Sequence, residues 1–243
     1  MKHPDIDWIW FDLDDTLYDF AASSLYALGE VYRRYGFGRY YASEEQWVDI
    51  YHRHNSALWQ QYNRGAVTQQ QLRHDRFSLP MAEVGIDSST TERLNADLDR
   101  DYLDMLGSTG LLVEGASEVL SALRGEGYRI GILSNGFHDV QHQKLKNSGL
   151  APLTDAVVLS DDAGFNKPDP RIFHYASTLA GSTPDRSLMV GDNPDTDIAG
   201  ALAAGWHAIY YDKGNETPHT EVAGCPVRTI SSLQKLLSQP LNW

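Results

Sequence analysis

The chain has 243 residues, 42% hydrophobic and 22% charged, which suits one large globular domain or a core carrying a substantial insertion. Its 20 basic and 33 acidic residues leave a net charge of −13, which argues against nucleic-acid polymers and anionic membranes as partners. A small anionic substrate stays open if a metal and a few basic groups reverse the field locally.

Trp8–Phe11 reads as a buried strand, and it runs directly into Asp12, Asp14 and Asp15. The apolar stretch is too short for a secretory signal, and no run approaches the roughly 20 residues of a membrane span. Carboxylates this close repel one another, so a metal among them and a proton on one would explain their company. Residues 18–108 contain no strand-like run. Leu25, Leu28, Val31 and Tyr32 predict one amphipathic helix face, and Trp47, Ile50, Tyr51, Asn55 and Leu58 a second. Breaks fall at Tyr35-Gly36-Phe37-Gly38, Asn63-Arg64-Gly65 and Val84-Gly85-Ile86-Asp87. Gln69-Gln70-Gln71 reads as a solvated helix face, and His52 and His54 as exposed side chains.

Beyond residue 108, short apolar runs at 129–133, 156–159, 187–190 and 208–211 alternate with helical patterns at 116–124, 139–147, 170–180 and 195–204. That alternation predicts an α/β fold, a Rossmann-like parallel sheet core interrupted after its first strand by an inserted helical cap. The expected domains are a core of 1–16 and 109–243 and a cap of 17–108. Cys225, the one cysteine, forbids an intrachain disulfide, so the cytoplasm is the expected compartment. His138 and His142 have the four-residue spacing a zinc site can use, yet lack the glutamate of a zinc-protease pattern. They are expected on a solvated helix face. Leu241 and Trp243 close the chain after Pro240, and either docking or fraying suits them.

In such sheets ligands bind beyond the carboxyl ends of the strands, and the unusual residues fall there. The ends deliver Asp12 and Asp14, then Ser134-Asn135-Gly136, then Lys167-Pro168-Asp169-Pro170, then Gly191-Asp192 through Asp197. A single Asp after a strand usually caps a turn or helix; Asp15 fits that reading, and Asp197 admits it. Four such stretches together suit a hard divalent cation and a phosphoryl group.

In this order, Asp12-Leu13-Asp14-Asp15-Thr16-Leu17, Leu133-Ser134-Asn135-Gly136, Lys167-Pro168-Asp169-Pro170 and Gly191-Asp192 to Asp197 resemble the four motifs of the haloacid dehalogenase superfamily. The resemblance implies that Asp12 is a nucleophile forming an aspartyl-phosphate and Asp14 an acid and base. Ser134, Asn135 and Lys167 would hold the phosphoryl group, Gly136 adding a backbone donor. It also implies Mg²⁺, with Mn²⁺ as an alternative, held by Asp12, the Asp14 main-chain carbonyl and Asp192. Asp197 would complete the acidic site through water or by orienting Lys167, and Thr16 would orient the first loop.

Leu58-Trp59, Tyr62, Gly65, Thr68, Leu72 and Arg76-Phe77 resemble a stretch of the noncanonical pyrimidine 5′-nucleotidases. This implies a metal-dependent phosphomonoesterase on pyrimidine nucleoside monophosphates, modified ones included, with the cap closing over the base. The plain alternative is that Leu58, Trp59, Leu72 and Phe77 pack the cap core. Competing functions are a phosphatase for sugar phosphates or phosphoglycolate, a beta-phosphoglucomutase-like mutase using Arg64, Arg73 or Arg76, and a non-catalytic binding protein. The expected partner is a small phosphorylated metabolite, with the chain a monomer or small homo-oligomer.

Overall fold

The computed structural model describes residues 3, 5–214, 217 and 219–238, so the expectation for Leu241 and Trp243 lies outside the described residues. The chain divides into two compact units, one of residues 1–20 with 110–243 and one of Ala21–Thr109.

The first unit is built on seven strands: β1 (Trp8–Phe11), β2 (Arg129–Ser134), β3 (Ala156–Leu159), β4 (Ser187–Gly191), β5 (His207–Tyr211), β6 (His219–Val222) and β7 (Cys225–Ile230). They form one sheet in the order β3-β2-β1-β4-β5-β7-β6, parallel except for the β6–β7 pair. The order reverses at β1, which pairs with β2 on one side and β4 on the other. That reversal is where an open α/β sheet leaves a crevice at its carboxyl ends. Side chains of β1 alternate: Ile9 and Phe11 join the cluster of Val119, Leu120 and Leu123, whereas Trp8 and Trp10 join that of Ile172, Phe173 and Trp206. Both faces are therefore covered, and the strand reads apolar throughout.

The second unit is helical: α1 (Phe20–Arg34, its first residue in the sheet unit), α2 (Glu44–Asn63), α3 (Gln69–Glu83) and α4 (Ser88–Ser108). Side chains begin three of them. Ser43 accepts from the Gln46 N–H and Asp87 from the Thr90 N–H, and Thr68 with Gln71 forms a reciprocal capping box. Gln71 thus caps α3. Phe37, Tyr41, Trp47, Tyr51, Phe77 and Tyr102 pack ring to ring as its core. The second predicted face is right at all five positions. The first holds at Leu28 and Val31 and needs correction at Leu25, which is 54% exposed, while α1 also buries Ser23, Ser24, Ala27 and Gly29. Ser24 and Tyr102 share a hydrogen bond of 3.0 Å, so a hydroxyl does what periodicity assigned to a leucine.

The sheet unit carries the remaining helices: α5 (Ala116–Gly125), α6 (His138–Asn147), α7 (Ser160–Ala163), α8 (Pro170–Ala180), α9 (Ala199–Ala203) and α10 (Lys235–Ser238). The expected helix at 195–204 is two pieces, a wide turn Pro194–Ile198 followed by α9. Asn193 caps the wide turn, its side chain accepting from the N–H groups of Asp195 and Thr196 and its carbonyl from the Ile198 N–H five residues on. No helix among the described residues is long and apolar enough to cross a membrane.

Candidate active site

Asp12 follows β1 and donates its backbone N–H to Val190 at 3.0 Å, which ties the loop to β4. The chain then turns tightly, with Leu17 and Tyr18 donating to Leu13 and Asp15 in the left-handed region at φ 57°. Buried Thr16 donates from Oγ1 to Asp192 at 3.0 Å, so it orients the fourth motif as much as its own loop. Asp15 is half-buried.

Lys167 is the hub. Its Nζ lies 2.8 Å from Asp12 Oδ1, 2.6 Å from Asp197 Oδ1 and 2.8 Å from the Leu133 carbonyl, which engages all three of its donors. Burial alone would lower its pKa, but the Asp12 and Asp197 carboxylates overcome that and hold it above the ordinary lysine value. Asn135 clamps the same segment in both directions, donating to the Lys167 carbonyl at 2.9 Å and accepting from its N–H at 2.8 Å. Asp197 is fully buried; its Oδ2 accepts from the Asn193 N–H at 3.1 Å, and a Cβ on Gly191 would collide with its carboxylate. Of its two expected roles, the one present in this geometry is contact with Lys167.

One ammonium does not balance these carboxylates. Asp12, Asp192 and Asp197 bring one oxygen each within 4.8 Å of one another. Burial pushes the Asp12 pKa well above its usual range; Lys167 opposes this, and Asp197, Asp192 and Asp14 add to it. Asp192 is pushed up to about 7, by burial first and Asp197 second, against the Thr16 hydrogen bond. An all-oxygen cluster with surplus negative charge is the donor set that suits Mg²⁺ or Mn²⁺.

Asp14 faces elsewhere. Its Oδ1 lies 2.5 Å from Lys144 Nζ, and its Oδ2 accepts from Gln141 Nε2 at 3.0 Å. The same Gln141 nitrogen lies 2.7 Å from Ser134 Oγ, which also accepts from the Gly136 N–H. Ser134 and Asp14 are therefore joined through one amide, and the hydroxyl proton of Ser134 is not consumed in these two bonds. Sequence reasoning missed Gln141 and Lys144 because it read that stretch for its histidines. The available signal was their three-residue spacing, which puts both on the face of α6 that buries Leu145. His138 and His142 are exposed as expected, although their rings lie 4.5 Å apart and His138 Nδ1 meets Asp162 at 2.9 Å.

In the helical unit, the nucleotidase-like stretch resolves largely into structure. Gly65 turns α2 into α3 at φ 71°, Thr68 caps α3, and Leu58, Leu72 and Phe77 are core. Of the three arginines a mutase would use, Arg76 is buried and paired with Asp99, and Arg73 reaches the same carboxylate at 2.6 and 2.8 Å. Arg64 is exposed. Trp59 is half-buried rather than core, and meets half-buried Tyr62 edge-on at 5.5 Å.

A sheet that reverses at its first strand, with Asp12, Lys167 and Asp192 gathered at its carboxyl ends, defines a hydrolase of the haloacid dehalogenase type. Residues 6–205 match the family model described as haloacid dehalogenase-like hydrolase, and the chain belongs to that family. It is 35% identical to the pyrimidine 5′-nucleotidase YjjG of Escherichia coli over 95% of this chain and 96% of that one. With the pyrimidine 5′-nucleotidase PynA of Streptococcus pneumoniae it shares 29% identity over 95% and 93% of the two chains. Among solved structures, the HAD-hydrolase YfnB from Bacillus subtilis bound to magnesium superposes with a TM-score of 0.81 at 26% identity, covering 96% and 97% of the two chains. The resemblance to pyrimidine nucleotidases inferred from the sequence is borne out.

Proposed function

We propose that the protein is a phosphomonoesterase working through an aspartyl-phosphate, and that its substrates are pyrimidine nucleoside 5′-monophosphates, modified ones included. The observation that carries the chemistry is the Asp12 carboxylate at the strand end, held by Lys167 on one oxygen with Asp14 two residues on. In the first step an Asp12 oxygen attacks phosphorus, and the ester P–O bond breaks as Asp14 gives a proton to the leaving oxygen. In the second, water attacks phosphorus and gives a proton to Asp14, and the Asp12–phosphorus bond breaks to release orthophosphate. Ser134 donates to the phosphoryl oxygens, Lys167 supplies fixed positive charge beside them, and Asn135 and Gly136 shape the backbone there. Mg²⁺, or Mn²⁺, would be held by Asp12, Asp192 and the Asp14 carbonyl, and when bound would neutralise charge on the phosphoryl oxygens.

Two pyrimidine 5′-nucleotidases aligning over nearly the whole chain support the substrate class. Within the helical unit, Trp59 and Tyr62 meet edge-on and are both half-buried, which suits stacking on a base. Hydrolysis is favoured over phosphoryl transfer between sugars because Arg73 and Arg76 are engaged by Asp99, which leaves Arg64 alone of the three arginines considered. The test is kcat/KM with Mg²⁺ for uridine, thymidine and adenosine monophosphates against phosphoglycolate. The pyrimidine nucleotides should lead; a tenfold or greater advantage for phosphoglycolate would replace the nucleotidase reading with a general small-phosphate phosphatase.

A further inference from the structure

We propose that Lys144, together with Gln141, is a positioning residue that holds Asp14 as the proton acceptor for hydrolysis of the phosphoenzyme. This rests on the phosphomonoesterase reading above. A lysine on a surface helix normally reaches water, as Lys146 does one residue pair further on. Lys144 instead is 2% exposed, with its ammonium 5.3 Å from the Tyr18 ring centre and 5.2 Å from that of Phe20. Taking an ammonium out of water is costly unless a partner of opposite charge meets it, and Asp14 does so. The two rings add cation–π attraction and restrict where the Nζ can go.

Gln141 completes the arrangement. It is fully buried, and its amide nitrogen serves both Asp14 and Ser134 while its Oε1 finds no hydrogen-bond partner. Leaving a buried carbonyl oxygen unsatisfied is costly, so the amide is turned for its neighbours rather than for its own bonding. Gly136 makes room for it, since a Cβ there would collide with the Gln141 amide. Asp14 thus receives one N–H donor on each oxygen and keeps further lone pairs open, which presents it as an acceptor in a fixed orientation. The half-reaction that needs an acceptor is the second, in which the attacking water surrenders its proton to Asp14.

The experiment uses p-nitrophenyl phosphate with saturating Mg²⁺, because its leaving group needs no proton and the first half-reaction is thereby uncoupled from Asp14. Lys144→Met keeps the side-chain bulk and removes the charge. Rapid mixing should show a burst of about one p-nitrophenolate per active site, then turnover roughly 10²-fold below that of the unaltered protein. A phosphoryl adduct should be seen in the mass of acid-quenched protein. Lys144→Arg should restore turnover, and Asp14→Asn should show the same burst and stall. Lys144→Gln serves if the methionine variant does not fold. A purely structural role for Lys144 would lower burst and turnover together and leave no adduct. That result, or unchanged turnover, alongside a bursting Asp14→Asn overturns the inference and leaves the enzymatic reading intact. An Asp14→Asn protein that neither bursts nor stalls removes Asp14 from the mechanism, and the inference falls with it.

Discussion

Each of the two units buries a charge cluster, and the two clusters are balanced in opposite ways. In the helical unit one carboxylate, Asp99, meets two guanidiniums, and the one on Arg73 is 42% exposed on its side chain and shares its charge with water. In the sheet unit Asp12 and Asp197 share one fully engaged ammonium while Asp192 lies beside them, and burial, with the neighbouring carboxylates adding to it, raises the pKa values of Asp12 and Asp192. The first arrangement is self-sufficient. The second carries charge that folding alone gives no reason to assemble, and a proton or a cation must complete it. Buried charge is thus a poor sign of function by itself, whereas uncompensated buried charge is a good one.

Substitutions can break that contrast. The largest effect expected is for Asp12→Asn, which keeps the shape and removes the carboxylate proposed as nucleophile: phosphate release should fall to the uncatalysed background. Its melting temperature should hold within a few degrees, because repulsion among the carboxylates is relieved as one Lys167 contact weakens. Near-normal turnover by this variant would make the sheet-unit cluster structural. Asp99→Ala should act the other way. It strands Arg76 in the interior and should cost about 3–5 kcal/mol in urea denaturation. Stability within 1 kcal/mol or so of the parent would show the helical cluster to be dispensable.

The smallest effect sharpens the contrast through pH. Asp192 has its pKa raised from 3.8 to about 7, so between those values the folded, metal-free protein binds more protons than the unfolded chain. In chelator, stability should therefore decline as pH rises from about 4 to about 7, and Mg²⁺ should restore it most at the alkaline end. Thermal melts at pH 5 and pH 8 with and without Mg²⁺ would check this. A metal effect equal at both pH values would contradict the assignment of the surplus charge.

Much of the sheet unit was legible because its signals are local. A buried strand that ends in aspartates is visible in Trp8–Asp12, and Asp169 with Pro170 announces α8 with a cap and a first-turn proline. The β6–β7 hairpin was missed: Pro226 sits inside its second strand, β6 is the partly exposed edge strand, and β7 is exposed at Cys225 and Pro226, which blurs alternation. The site residues at strand ends were legible for the same local reason. Arg76 was not, since its distant acidic partner Asp99 decides whether so long a basic side chain turns inward, and Lys144 offered only its three-residue spacing from Gln141. Ser24 defeated periodicity similarly, its burial depending on Tyr102 far along the chain.

The double hydrogen bond between Asn135 and the Lys167 backbone has a further consequence. It splices the loop after β2 to the loop before α8, so the spacing between Ser134 and the lysine is fixed by one amide rather than by either loop alone. Neither loop can gain or lose a residue at that point without unseating both bonds. Insertions that diversify this scaffold are therefore channelled away from the splice, and the two segments must change together or not at all.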